Sequence, residues 1–385
     1  MTLYNSSWPI YTNDMINGVS QILQSGKVNQ WTGKYVKQFE TEFANYFGMQ
    51  HAIAVTNGTV SLELAIKCLD ITIDDEVIVT SRSFIASANQ VAMIGATPVF
   101  ADVDITTQNM TAKMIEEKIT SKTRAVILVH LAGFPCDMEP IMKLCNQHNI
   151  IVIEDCAQAH GAKYNNQYVG TFGKVSSWSF CQDKIISTGG EGGLLLTNDT
   201  DLYKRMWSYK DHGKDYNLYQ TPFTNNGLYN YTCRTLGTNY RMTEISAFIG
   251  LESLKLLSQW LLIRQSHAEI LNNKLSKLNT IYLSRIDSYN YEHAYYKYYF
   301  HLKNDYINHR NNILLTLISK GISASQGSCG RLYDEICLQQ FKTNTLSNSE
   351  TLMDNSIMIP LDPSFDKNQI ESITNIIYDV LLQYE

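Results

Sequence analysis

One feature constrains this chain more than any other. Between residues 53 and 153, short β-branched runs alternate with helical patterns. Runs at 53–55, 77–79, 98–103, 125–130 and 150–153 read as strands, and 60–69, 83–94, 110–119 and 138–148 as helices. The strand runs are almost continuously apolar, which is the composition of a strand buried on both faces. A helix between successive strands supplies the crossover that parallel neighbours require. The expected class is therefore α/β with a mostly parallel sheet. In such sheets ligands collect at the carboxyl ends of the strands, so the residues just after each run carry the functional weight.

Two further strands are expected at 175–180 and 194–196, and near residue 200 the rhythm changes. A long helix is expected over 243–260, continuing after a bend to 278, then Tyr-rich strands within 288–302. A helix at 311–320, a Gly/Ser loop at 325–330 and a last helix at 367–382 complete the pattern. This suggests a large domain over 1–250, N-terminal segment included, and a smaller α+β C-terminal domain over 251–385.

Composition narrows the function. Lys plus Arg number 31 against 37 Asp plus Glu, a net charge of −6, with no basic block, so nucleic acid is not an expected partner. None of the eight cysteines forms a CxxC pair or a zinc-finger set, and several sit in apolar runs as reduced core cysteines do, so no metal site is expected. The opening residues lack a signal-peptide pattern and no apolar stretch reaches bilayer length, so a cytoplasmic protein without a membrane span is expected.

Four features lie after strands or before a helix. Asn57-Gly58-Thr59 opens a helix, where free backbone N–H groups bind anions; an ordinary N-cap explains the same residues. Asp155 follows a buried strand and points toward the ligand crevice, or serves as a structural pair. Lys184 follows the 175–180 strand and precedes Gly189, Gly190, Gly192 and Gly193, in a loop through which a ligand can approach the backbone closely. Its plainer reading is a solvated loop lysine. Gly237-Thr-Asn239-Tyr-Arg241-Met-Thr243 precedes the long helix; capping accounts for Thr243 but not for Asn239 or Arg241. Phosphate-loop, dinucleotide-fingerprint, GxSxG and HExxH motifs are missing. An anion site, a carboxylate and a lysine together are what pyridoxal 5′-phosphate needs: a phosphate cradle, a partner for the pyridine nitrogen, and an amine for the aldehyde.

These motifs make the chain recognisable. WTGKYVKQFETEFANYFG, TNGTVSLELA, IEDCAQAHGAKYNNQYVGTFG, SFCQDKIISTGGEGG and LGTNYRMTEISAFIGLESL together resemble the DegT/DnrJ/EryC1/StrS nucleotide-sugar aminotransferases, and the perosamine-synthase type within them. The resemblance implies a fold of the aspartate-aminotransferase kind (fold type I). It implies Lys184 as Schiff-base lysine and acid/base, Asp155 as partner of the pyridine nitrogen, and Phe84 as the ring stacked on the cofactor. Gly58, Thr59 and Ser179 look like phosphate ligands, and Gln158 stands beside the ring hydroxyl. Asn239 looks like a phosphate ligand from the neighbouring subunit, which implies a homodimer with shared sites. Implied partners are L-glutamate (giving 2-oxoglutarate) and a nucleotide-linked keto-6-deoxyhexose, with the ketone at carbon 4 favoured over carbon 3, for surface polysaccharide or O-antigen synthesis. Some members carry His in place of the lysine and are dehydratases; Lys184 argues against that branch. Cys181-Gln182-Asp183 and Gly330-Arg331 depart from the usual pattern. Lys34, His160 and Arg331 are further candidates for contact with substrate.

Overall fold

The computed structural model describes residues 4, 6–220, 231–284, 288–327, 330–343 and 345–385. Two helices, α1 (Asn13–Ser25) and α2 (Tyr35–Phe47), precede the alternating region. That region runs β1 (His51–Val55), α3 (Gly58–Cys68), β2 (Glu76–Thr80), α4 (Ala86–Met93), β3 (Thr97–Ala101), α5 (Ala112–Glu116), β4 (Thr123–Val129), α6 (Met138–Gln147) and β5 (Ile151–Asp155). A small hairpin, β6 (Lys163–Tyr164) and β7 (Gln167–Tyr168), leads to β8 (Val175–Ser179), β9 (Gly193–Thr197), α7 (Thr200–Lys210) and α8 (Tyr216–Tyr219). The remainder is α9 (Glu244–Leu275), β10 (Ile281–Leu283), β11 (Tyr291–Glu292), β12 (Lys297–Leu302), α10 (Arg310–Ser319), α11 (Ser347–Asn355), β13 (Ser356–Pro360) and α12 (Lys367–Leu382).

The seven-stranded sheet has the order β1-β9-β8-β5-β4-β2-β3. β2 pairs in parallel with β3 and β4, β4 with β5, and β5 with β8. β9 runs antiparallel to both β8 and β1. One reversed strand therefore leaves the carboxyl ends of β1, β2, β4, β5 and β8 on a single edge, together with the amino end of β9. The expected α/β class is what the structure has, and this edge positions the site.

Both faces of the sheet are dry. Ile53, Val55, Val77, Val79, Ile127 and Ile153 pack on one side with residues of α3, α4 and α7. Ala52, Ala54, Ile78, Val126, Leu128 and Val152 turn to the other, toward α2 and α9 or α5 and α6. This period-two division explains why the strand runs had to be apolar throughout. A second sheet, β10-β12-β13, packs against the C-terminal half of α9 with α10 and α12. The expected division at residue 250 falls inside α9.

Three expectations need correction. The bend near 260 is not there: α9 is a single helix of 32 residues. Its first half buries Leu251, Leu254, Leu257 and Leu261 beside Phe39 and Phe43, and its second half buries Ala268, Leu271 and Leu275 against the second sheet. Two faces with different partners blur the 3.6-residue pattern and mimic a break. By length and composition α9 could cross a membrane, but here those leucines form part of the protein core. The 110–119 helix is only Ala112–Glu116, because Thr111 caps it, accepting from Met114 N–H at 3.4 Å, and leaves Met110 outside. The 83–94 helix starts only at Ala86, because the preceding residues bridge Arg82 to Arg331.

The quoted motif hid a structural residue. Glu244 is fully buried, and its carboxylate accepts from Tyr35 N–H at 2.6 Å and Val36 N–H at 3.1 Å. It caps α2 from the first turn of α9, placing a charge where the helix dipole favours it. Glu244→Ala is expected to cost about 3 kcal/mol, read as a lower urea midpoint.

Candidate active site

Lys184 lies in the loop joining β8 to β9, at the edge where the strand ends gather. Its Nζ donates to Tyr296 Oη at 3.0 Å and lies 3.5 Å from Asp183 Oδ1. The Tyr296 hydroxyl in turn donates to Asp183 Oδ2. Trp8 Nε1 donates to the Lys184 carbonyl at 2.9 Å, and Ser6 Oγ reaches Asp362 at 2.6 Å, so the N-terminal segment ties the loop to the C-terminal part. The lysine side chain is 17% exposed, which leaves the amine reachable from the crevice.

Asp155 ends β5 and is 5% exposed. Its Oδ2 accepts from Ser87 Oγ at 3.0 Å and its Oδ1 from Ala157 N–H at 3.1 Å. Burial pushes this carboxyl above its usual range, while the Ala157 N–H, the Ser87 hydroxyl and the charge of Lys184 pull it down. Lys184 is thus near enough to act on Asp155 electrostatically. A buried carboxylate in that balance is satisfied best by a cation.

The third element is an anion cradle. Asn57 caps α3, its Oδ1 accepting from Val60 N–H at 2.9 Å, and this aims the first N–H groups of the helix outward. Gly58 meets Ser179 so closely that a Cβ added to it would lie 2.6 Å from the Ser179 Cβ. At Gly193 the same addition would fall 2.2 Å from the Asn57 carbonyl oxygen, so that glycine admits β9 to this corner. Thr59 is exposed at the helix start and Ser179 is buried at the end of β8.

Phe84 follows β2 and is 60% exposed, unusual for so large an apolar ring. The hydrogen bond between Ser83 and Ser87 (2.9 Å), and that from Ser87 to Asp155, hold its segment beside the carboxylate. Gln158 is buried and its Oε1 accepts from Ala132 N–H at 2.8 Å. Asn239 is exposed, and its Oδ1 accepts from Arg241 N–H at 3.3 Å. Arg241, which capping left unexplained, pairs with buried Asp211 at 2.8 Å and so fixes the Asn239 segment.

The three substrate candidates fare differently. His160 is fully buried, its ring 5.2 Å from Trp178 and 5.5 Å from Phe180. Burial, then the charges of Lys184 and Arg264, lower its pKa to about 3. Its ring stands in the core as a neutral aromatic. Lys34 is exposed, with Nζ 5.2 Å from the Tyr35 ring centroid. Arg331 is held by Asp334 at 2.6 Å and Glu350 at 3.7 Å. Ser328 and Cys329 of its loop lie outside the described residues.

His130, Glu154 and Cys156 lie within 4.8 Å of one another and could be read as a metal centre. Their bonds read otherwise. Glu154 accepts from the N–H groups of Gly170 (2.7 Å), Phe172 (2.8 Å) and Gly173 (2.6 Å). His130 Nδ1 accepts from Cys136 N–H, so Nε2 bears the proton and donates to Glu154 at 3.2 Å. The cluster is a strut holding the loop before β8. Sequence reasoning missed Tyr296, Ser87 and Trp8. Tyr296 gave no signal, because β12 brings it to Lys184 from 112 residues away.

Comparison with known proteins shows which proteins the chain is similar to. The DegT/DnrJ/EryC1/StrS aminotransferase family matches residues 9–378. The chain is 38% identical over 291 residues to the GDP-perosamine synthase of Escherichia coli O157:H7, covering 75% of this chain and 76% of that protein. It is 39% identical over 244 residues to the dTDP-3-amino-3,6-dideoxy-alpha-D-galactopyranose transaminase of Aneurinibacillus thermoaerophilus, covering 62% of each. The X-ray structure of an aminotransferase from Psychrobacter cryohalolentis superposes with a TM-score of 0.93 at 41% identity, covering 98% of this chain and 99% of that one. The chain belongs to the DegT/DnrJ/EryC1/StrS aminotransferase family.

Proposed function

We propose that the crevice holds pyridoxal 5′-phosphate and that the enzyme moves an amino group from L-glutamate to a nucleotide-linked 4-keto-6-deoxyhexose, in the cytoplasm, for surface polysaccharide or O-antigen synthesis. The observation that carries the reading is the convergence of a reachable lysine amine and a buried, cation-seeking carboxylate beside an anion cradle. The residues fit the group. Asp155 would hold the pyridine nitrogen, Phe84 would cover one ring face, and Gln158 would lie beside the ring hydroxyl. Gly58, Thr59 and Ser179 would hold the phosphate, with Asn239 of a second copy completing the cradle in a homodimer. When bound, the group supplies an aldehyde for amines and an electron sink for the carbon that loses its proton.

The chain's own residues do the rest. Lys184 Nζ is the amine that would hold the group through its aldehyde, and once freed by a competing amine it would be the base placed to move the substrate proton. Tyr296 and Asp183 orient that amine. Ser87 and the Ala157 N–H fix the Asp155 carboxylate.

A panel of nucleotide-linked keto sugars with glutamate, read by mass spectrometry, tests the substrate class. Amino product from a 4-keto sugar, with matching 2-oxoglutarate, is the expected result; turnover of 3-keto sugars alone would move the reading to carbon 3, which the similarity to a 3-amino-sugar transaminase favours. Gly58→Val is expected to weaken cofactor binding by about 10- to 100-fold, read by titration, because the new side chain must displace Ser179.

A further inference from the structure

Lys184 has two close polar neighbours. Tyr296 Oη lies 3.0 Å from its Nζ, and Asp183 Oδ1 lies 3.5 Å from it. The Tyr296 hydroxyl is itself bonded to Asp183 Oδ2. Asp183 belongs to the Cys181-Gln182-Asp183 segment that departs from the usual pattern, so the family resemblance assigns it no role. Burial pushes its carboxyl up, but the charge of Lys184, the Tyr296 hydroxyl and the charge of Lys297, 3.7 Å away, bring it below its ordinary value. It is therefore ionised at neutral pH, and a carboxylate can only accept.

That sets the direction of the bonds around the amine. A phenol has one proton to give, and Tyr296 gives it to Asp183. Toward Lys184 the phenol oxygen is then left as an acceptor, which is how the structure has it. A neutral lysine amine carries two N–H groups and one lone pair. Tyr296 takes one N–H and the Asp183 carboxylate attracts the other, so the lone pair keeps the remaining direction, on the side where the amine is reachable. Without Asp183 the preference reverses. A phenol O–H donates more readily than an amine N–H, and the released phenol proton would occupy the lone pair.

We propose that Asp183 is a positioning residue that acts through Tyr296: by holding the phenol proton it keeps the Lys184 lone pair free for the cofactor aldehyde and for the substrate proton. The proposal rests on the reading of Lys184 as the transaminating lysine. No proton leaves the set; what changes is the atom that the phenol proton faces.

Competitive acetylation of full-length, cofactor-free protein is the test, with the exposed Lys367 as internal standard and the Lys184 peptide read by mass spectrometry. A pH series separates how much of the amine is neutral from how readily the neutral amine reacts. Asp183→Ala is expected to lower the reactivity of the neutral amine about 10-fold, the scale of one hydrogen bond to the lone pair. The Asp183 side chain is half exposed in a loop, so its removal leaves the core intact. Tyr296→Phe alone is expected to lower the reactivity by no more than about 3-fold, and adding Asp183→Ala to it to lower it no further. In loaded enzyme, kcat for amino transfer should follow the same order while the half-saturating glutamate concentration holds. A plain ion pair between Asp183 and Lys184 gives another pattern: loss of the charge leaves more of the amine neutral and its reactivity unaltered, with or without the phenol. Unchanged reactivity in Asp183→Ala, or a loss that Tyr296→Phe does not relieve, overturns the proposal. A wild type that gains no visible absorbance with the cofactor defeats the functional reading instead, and the acetylation pattern still decides which way the phenol proton points.

Discussion

Lys184→Ala is expected to slow amino transfer by roughly 10⁴-fold or more and to abolish the visible absorbance of the protein supplied with pyridoxal 5′-phosphate. The two losses have one cause. The Lys184 Nζ is the amine that Tyr296 and Asp183 hold at this end of the crevice, at 3.0 and 3.5 Å. Alanine offers neither a nucleophile for the aldehyde nor a base for the substrate proton. Folding should survive, because the removed atoms belong to a partly exposed loop side chain rather than to the core. Lys184→Arg is the sharper control: it keeps the charge that Asp183 and Asp155 see but not the nucleophile, and the same loss of rate is expected. Activity near the wild-type level in either variant, by 2-oxoglutarate release, contradicts the assignment.

Asp155→Asn is expected to lower the rate by about 100- to 1,000-fold, the scale of removing one partner from a buried charge pair. Ser87 and Ala157 can still bond an amide of the same shape, so geometry is kept and charge is lost. The same substitution should make the cofactor-free protein more stable at neutral pH. The sign follows from burial, which raises the folded pKa of Asp155. The ionised form is thereby penalised, and the penalty grows as pH climbs from the unfolded pKa to the folded one. Asparagine never carries it. Melting curves of the cofactor-free proteins at neutral and acidic pH should show the variant's advantage shrinking on acidification. Lower activity with higher stability is what a side chain kept for function shows.

The alternating region was legible because each buried strand had to be apolar on both faces and each crossover needed a helix. The proposed site draws on it: Gly58, Phe84, Asp155, Ser179 and Lys184 all lie at a strand end or in the segment that follows one, and one reversed strand, β9, leaves those ends on one edge. What could not be read depends on contacts far apart in the chain. Tyr296 meets Lys184 only because the second sheet packs there, and Trp8 only because the N-terminal segment crosses the loop. His160 stood two residues after Gln158, yet its ring turns between Trp178 and Phe180. A strand-end position shows where the backbone stands, not which way the side chain goes. Glu244 sat in the recognised motif beside its helix cap, and nothing local revealed that its carboxylate closes α2 some 200 residues earlier.

The most direct measurement traps the covalent link. Protein loaded with pyridoxal 5′-phosphate is reduced with borohydride, digested, and its peptides weighed. The cofactor mass should be found on the peptide containing Lys184 and vanish from that peptide when glutamate is added before reduction. An adduct on another lysine, or none on Lys184, contradicts the account.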